Sequence, residues 1–90
     1  MKVLILYRPD SEYSRDVETF AEDLQRLHDM PSSKLELLSV NTRDGASTAS
    51  LYDVTAYPSI LILADDGSLV NSWIGLPLPL MDEVMGYAFQ

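Results

Sequence analysis

Residues 51–75, LYDVTAYPSILILADDGSLVNSWIG, decide the fold of this chain. Their centre, Ser59 to Ala64, is apolar after its first residue, which is typical of a strand covered on both faces. Asp65, Asp66 and Gly67 predict a hairpin turn, because Asp and Gly tolerate the positive φ that such turns demand. Leu69 to Ile74 then returns as a strand. Its alternation predicts one face with Val70, Ser72 and Ile74 and an opposite face with Leu69, Asn71 and Trp73.

The chain before and after this hairpin alternates between strand and helix. Val3 to Tyr7 is apolar at every position and predicts a first central strand. A helix is predicted from Ser14 to about His28, and Leu35 to Asn41 indicates another strand. The apolar stripe of the helix recurs at spacings of three and four, at Val17, Phe20, Ala21, Leu24, Leu27 and His28. Gly45 opens a short helix predicted over Ala46 to Val54, and Leu80 to Phe89 predicts a closing helix.

The predicted order of elements is β-α-β-α-β-β-α. The first β-α-β unit should be parallel and right-handed, whereas the tight hairpin must be antiparallel. We therefore expect an α/β fold with a mixed four-stranded sheet and helices on both faces. Ninety residues suffice for one small core, so residues 1–90 are predicted to be a single domain.

Composition excludes several classes of function. Fourteen acidic against six basic residues give a net charge of −8, which repels nucleic acids and anionic membrane surfaces. No apolar run approaches the roughly 20 residues of a membrane span, and no signal peptide is visible, so a cytoplasmic location is expected. The chain has no cysteine, which removes disulfides, thiolate catalysis and cysteine-ligated metals. No cofactor and no metal site are predicted.

The strand-to-helix junction at residues 11–14, SEYS, places two hydroxyls three residues apart. One interpretation is N-capping, in which Asp10, Ser11 and Ser14 accept hydrogen bonds from the first turn, at about 1 kcal/mol each. A nucleophilic serine would need a base within hydrogen-bond reach. The single histidine, His28, is about 21 Å along the helix from Ser14, so a Ser–His pair on this helix is excluded. No catalytic residue is predicted.

Three stretches resemble the thioredoxin-like superfamily. Residues 7–14, YRPDSEYS, are similar to the glutaredoxin active-site segment, with Ser11 and Ser14 at the cysteine positions and Glu12 and Tyr13 between them. Residues 51–63, LYDVTAYPSILIL, resemble the short helix that leads into the cis-proline of that fold, with Pro58 in its place. Residues 63–75, LADDGSLVNSWIG, resemble the thioredoxin hairpin and the glycine, Gly75, that ends it.

The resemblance implies a thioredoxin-like fold with a degenerate active site at Ser11, Glu12, Tyr13 and Ser14. Members exchange disulfides through a thiolate at the helix N-terminus, which a serine hydroxyl cannot replace. The serines are either natural or engineered replacements of cysteine. In relatives, the backbone of the residue before the cis-proline pairs with an extended substrate, so a binding groove is expected at Arg8, Tyr57, Pro58 and Gly75. The Tyr57–Pro58 bond is predicted to be cis, with Pro58 close to Ser11 and Ser14.

The segment after the last strand, GLPLPL at residues 75–80, argues against glutathione as a ligand. Glutaredoxins have Gly-Gly followed shortly by Asp at this point, whereas Gly75 is followed by an apolar run and Asp82 comes late. The run is either a partner-binding lip or the packed approach to the last helix. The leading hypothesis is a redox-inactive module that binds an extended peptide or protein. The alternatives are an oxidoreductase whose cysteines are replaced, or a structural subunit of an oligomer; the sequence leaves the oligomeric state open.

Overall fold

The computed structural model describes residues 1–88 and has the predicted order of elements. The strands are β1 (Lys2–Tyr7), β2 (Leu35–Ser39), β3 (Ser59–Leu63) and β4 (Leu69–Ile74), and the helices are α1 (Ser14–Leu27), α2 (Arg43–Leu51) and α3 (Met81–Ala88). The described part of α3 thus begins one residue later than predicted, and Phe89 lies outside the described residues. A 3-10 turn, Ser32–Lys34, precedes β2.

The four strands form one mixed sheet in the order β2-β1-β3-β4. The β1–β2 pair is parallel, whereas β3 is antiparallel to both β1 and β4. The two central strands, β1 and β3, are therefore hydrogen-bonded on both sides, and β2 and β4 are the edges. This arrangement confirms the predicted fold class.

Each face of the sheet has its own apolar core. One face packs against α1 and α3 and contains Val3, Ile5, Ile60, Ile62, Val17, Phe20, Leu24 and Val84. The other packs against α2 and the segment after it and contains Leu4, Leu6, Leu61, Leu63, Ala49 and Val54. All five residues of β3 are buried, as are four of the six in β1. Helices on both faces explain why these strands are continuous apolar runs.

The second helix starts earlier than the sequence predicts. It spans Arg43–Leu51 rather than residues 46–54, because the Thr42 hydroxyl caps it by accepting a hydrogen bond from the Gly45 amide at 3.0 Å. Gly45 is buried in the first turn, and a Cβ atom there would lie 1.8 Å from the Ser39 carbonyl oxygen. The glycine therefore permits close contact between α2 and the end of β2, which stops at Ser39 and not at Asn41.

The apolar stripe of α1 is shorter than predicted. Val17, Phe20, Ala21 and Leu24 are buried, but Leu27 is 64% exposed, so its place in the stripe is wrong. The helix ends at Leu27 with a half-buried His28 as its C-cap residue. The Met30 amide then bonds to the Leu24 carbonyl at 3.1 Å, and the buried Met30 side chain fills the core beyond the helix end.

A β-bulge changes the predicted alternation of β4. Leu69 pairs with Leu63 and Asn71 pairs with Ile62, which leaves Val70 as the extra residue. Because directly paired residues share a face of the sheet, Leu69 lies on the same face as Ser72 and Ile74. The predicted face of Leu69, Asn71 and Trp73 is therefore wrong for Leu69. In the turn before β4, Gly67 has a positive φ of +87°. Asp65 and Asp66 have negative φ values, so the turn does not need their tolerance of a positive φ.

Replacement of Gly45 by alanine should be strongly destabilising. The new Cβ would overlap the Ser39 carbonyl oxygen, and neither backbone moves without displacing α2 from β2. We expect a loss of at least about 3 kcal/mol in the free energy of unfolding, measured by urea denaturation. Gly86→Ala is the matched control: a Cβ there meets nothing within 4 Å, and alanine should stabilise α3 by about 0.5–1 kcal/mol. Equal effects of the two substitutions would contradict the close contact at Gly45.

Candidate functional site

The loop between β1 and α1 is closed by hydrogen bonds of Ser11. Its hydroxyl donates to the Arg8 carbonyl at 2.6 Å, and its amide donates to the same oxygen at 3.1 Å. The Ser14 amide in turn donates to the Ser11 carbonyl at 3.3 Å. Residues 8–14 therefore form two successive turns that lead directly into the helix.

The interpretation of Asp10, Ser11 and Ser14 as side-chain caps of α1 is wrong. The cap position is occupied by Tyr13, whose backbone is already helical and whose side chain makes no capping bond. Ser11 donates its hydroxyl backwards, and the Asp10 carboxylate accepts a hydrogen bond from the Asn41 amide group at 3.2 Å. These side chains are thus committed elsewhere, so among the described residues no side chain caps the first turn.

Arg8 joins the β1–α1 loop to the segment before β3. Its guanidinium carbon lies 5.4 Å from the centre of the Tyr57 ring, which is cation–π geometry. Its backbone amide donates to the Tyr13 hydroxyl at 3.3 Å. Within residues 1–88 Arg8 forms no ion pair, although Asp10 and Glu12 follow closely in sequence. The structure therefore brings Arg8, Tyr13 and Tyr57 together, and no carboxylate of the described residues pairs with the guanidinium.

Pro58 is fully buried, and the Tyr57–Pro58 peptide bond is cis. The Pro58 carbonyl accepts a hydrogen bond from the Gly75 amide at 2.8 Å, which places Gly75, with φ +79°, directly beside it. The Tyr57 hydroxyl donates to the Val54 carbonyl at 3.4 Å, which helps to fix the half-buried ring. These contacts bring Arg8, Tyr57 and Gly75 together around the buried Pro58, and these four residues are the candidate surface.

A second cis bond, Leu76–Pro77, lies just beyond Gly75. The sequence gives no signal for it, because the Leu-Pro pairs at 76–77 and 78–79 are identical and either isomer is accessible to such a bond. In the same segment Leu78 is half-buried against the core, whereas Leu76 and Leu80 are 60% and 70% exposed. The GLPLPL segment therefore packs on the core through Leu78, while Leu76 and Leu80 lie outside the core.

The main chain of Tyr57 is the unpaired part of this surface. Ser59 begins the paired register of β3, and the Pro58 carbonyl is bonded to Gly75. Neither the N–H nor the carbonyl of Tyr57 has a hydrogen-bond partner among the residues that the structure describes. One donor and one acceptor are thus left in the bend that immediately precedes the central strand β3.

Part of the predicted site is not tested by these contacts. Glu12 is exposed and forms no hydrogen bond within residues 1–88. The closeness of Pro58 to Ser11 and Ser14 stays a prediction. Sequence reasoning missed Asn41, which ties the loop after β2 to Asp10 across 31 positions of sequence. No local pattern could have indicated that contact, because it depends on the parallel pairing of β1 with β2.

Burial, and then the nearby Glu18 carboxylate, raise the pKa of Tyr7, which ends β1 immediately before Arg8. Across residues 1–88 there is no cluster of His, Asp or Glu that could hold a metal ion, and no helix long and apolar enough to cross a membrane. The chemistry that the surface offers is hydrogen bonding and contact with aromatic rings.

Comparison with solved structures shows a thioredoxin-like fold. Thioredoxin 1 from the thermophilic eubacterium Thermosipho africanus TCF52B superposes with a TM-score of 0.68, covering 97% of this chain and 89% of its own, at 14% sequence identity. A designed protein superposes with a TM-score of 0.59, covering 96% of this chain and 70% of its own, at 19% identity. No protein-family model and no curated protein matches this chain. At these identities the similarity establishes the fold alone.

The two serines should differ in their effect on stability. Ser11→Ala removes the hydroxyl bond to the Arg8 carbonyl and should lower the free energy of unfolding by about 1 kcal/mol. Ser14→Ala is the control, since its hydroxyl makes no such bond within residues 1–88, and it should change stability by less than about 0.5 kcal/mol. Chemical denaturation of both variants measures this difference. A larger loss from Ser14→Ala would show that Ser14 caps the helix after all.

Proposed function

We propose that this chain binds an extended segment of peptide or protein at the groove formed by Arg8, Tyr57, Pro58 and Gly75, without redox chemistry. The observation that carries the proposal is the main chain of Tyr57, whose N–H and carbonyl have no partner among the described residues. An extended peptide that lies alongside residues 56–58 supplies both partners, as in other cases of strand addition.

Side chains around Tyr57 supply the rest of the contact. The Arg8 guanidinium lies over the Tyr57 ring and has no carboxylate partner within residues 1–88, so its N–H groups are available to carbonyl or carboxylate oxygens of the ligand. Tyr13 lies beside Arg8 and adds an aromatic surface. The hydrogen bonds to the backbone give affinity without regard to sequence, and Arg8 with its aromatic neighbours provides selectivity.

Loss of the cysteines removes disulfide exchange from this groove. Exchange requires a thiolate that attacks a disulfide sulfur and forms a mixed disulfide, and the chain has no thiol. A peptide bound here is therefore held by non-covalent contacts alone. The alternative of an oxidoreductase with replaced cysteines shares the same groove and differs only at positions 11 and 14.

Peptide binding is tested by titrating the ¹⁵N-labelled chain with a pool of short synthetic peptides. Binding should first shift the amide signals of Tyr13, Tyr57 and Ser59. Arg8→Ala should weaken the affinity of a selected peptide about threefold or more, because it removes the proposed guanidinium hydrogen bond to the peptide, worth about 1 kcal/mol or more. Arg15→Ala is the matched control, since Arg15 is an exposed arginine on α1.

Two results would contradict the groove. Shifts confined to the opposite end of the sheet, around Lys34 and Asp65, would place the binding surface elsewhere. An equal loss of affinity in Arg8→Ala and Arg15→Ala would indicate general charge attraction instead of contact at Tyr57.

The double variant Ser11→Cys with Ser14→Cys tests whether the loop keeps the geometry of a disulfide-exchange site. The Ser14 amide bonds to the Ser11 carbonyl, and the ends of such a turn lie within about 7 Å, in the range that a disulfide spans. We expect an intramolecular disulfide in air. In the reduced protein, the thiol at position 11 should have a lowered pKa from the helix N-terminus and some insulin-reducing activity.

The single variants are the controls, because neither can close an internal disulfide. Two thiols in the double variant that both alkylate fully after exposure to air would show that the loop is not a silenced exchange site. That outcome would leave peptide binding at Tyr57 to be judged by its own titration.

A further inference from the structure

The outer edge of β4 presents backbone groups to which another strand could bind. The Gly75 amide bonds to the Pro58 carbonyl, and along an antiparallel ladder such bonded pairs alternate with non-bonded ones. The next bonded pair is Ile60 with Trp73. The N–H and carbonyl groups of Ser72 and Ile74 therefore point away from β3, towards the free edge of the sheet.

This edge lacks most of the features that usually prevent strand addition. Such edges are protected by charged residues, by proline within the strand or by very short length. β4 has six residues and no charge or proline, and the uncharged stretch extends from Gly67 to Met81. Leu69, Val70 and Ile74 are 43%, 41% and 48% exposed. Among the usual devices β4 has only the bulge at Val70.

The Asn71 side chain covers one of the outward donors. Its Oδ1 atom accepts a hydrogen bond from the Ser72 amide at 2.8 Å, and its Nδ2 atom donates to the Tyr87 hydroxyl at 2.9 Å. The Tyr87 ring packs edge-on against Trp73, with centroids 5.9 Å apart. The carboxamide is therefore oriented by α3, while the outward amide of Ile74 has no acceptor within residues 1–88.

We infer that the Asn71 carboxamide, held by Tyr87, closes the free edge of β4 against strand addition. Its removal should let β4 pair with β4 of a second copy of this chain. A second copy fits this edge because antiparallel pairing about a two-fold axis is self-complementary. Two chains of net charge −8 repel each other over most of their surface. The uncharged stretch from Gly67 to Met81 is the exception, because pairing there places no like charges opposite each other. Ser72 and Ile74 of one copy would then face Ile74 and Ser72 of the other.

Asn71→Val tests the inference by light scattering during size-exclusion chromatography. Valine favours a strand but offers no acceptor to the Ser72 amide. The parent should remain at the 10.1 kDa mass of one chain, whereas the variant should shift towards twice that mass as its concentration rises. Adding Ile74→Lys to the variant should restore the single-chain mass, because it places a charge on the outer edge. A folded Asn71→Val that stays at one chain's mass, or association that survives Ile74→Lys, overturns the inference.

Hydrogen exchange of the unsubstituted protein gives a second test that does not depend on the Asn71→Val variant. The Ser72 and Ile74 amides both point outwards, but only that of Ser72 is bonded to Asn71. We expect the Ser72 amide to exchange at least tenfold more slowly than that of Ile74, and Tyr87→Phe to reduce this difference. Equal exchange of the two amides in the parent would show that the carboxamide does not close the edge.

Discussion

The burial of β1 and β3 on both faces is the constraint on which the rest of this structure depends. All five residues of β3 are buried, and every apolar side chain of that strand packs against helices or the segments beside them. A strand buried in this way must have its backbone fully paired, because an unpaired buried amide costs about 1–3 kcal/mol. Backbone N–H and carbonyl groups without partners therefore occur at the ends of β3 and at the outer edges of the sheet, where they are not enclosed by the core.

The candidate groove and the edge of β4 are two consequences of that displacement. At the start of β3 the pairing stops with the Gly75–Pro58 bond, and the N–H and carbonyl of Tyr57 have no partner among the described residues. At the edge of the sheet, Ser72 would be in the same position but for the Asn71 carboxamide. Two similar sets of backbone groups therefore differ: the Ser72 amide is bonded to a side chain, whereas the Tyr57 N–H and carbonyl have no partner among the described residues.

The sequence predicts the parts of this structure that depend on burial. Continuous apolar runs predict β1 and β3, because a strand buried on both faces has few polar side chains. The aspartates and glycine at 65–67 predict the hairpin. The failures involve contacts between distant segments. The start of α2 depends on how closely Gly45 approaches Ser39, and Asp10 bonds to Asn41 instead of capping α1. The resemblance predicts Arg8 and Tyr57 as site residues, but the contact between the guanidinium and the ring follows only from the folded chain.

The most direct test of the central claim is amide hydrogen exchange at residues 57–62 of the free chain, followed by NMR. Ile60, Leu61 and Ile62 lie in the paired register of β3, so their amides should exchange only when the whole domain opens. The Tyr57 amide should exchange near the rate of an unstructured peptide, because it has no partner among the described residues. Protection of Tyr57 equal to that of Ile60 would contradict an open groove at the start of β3.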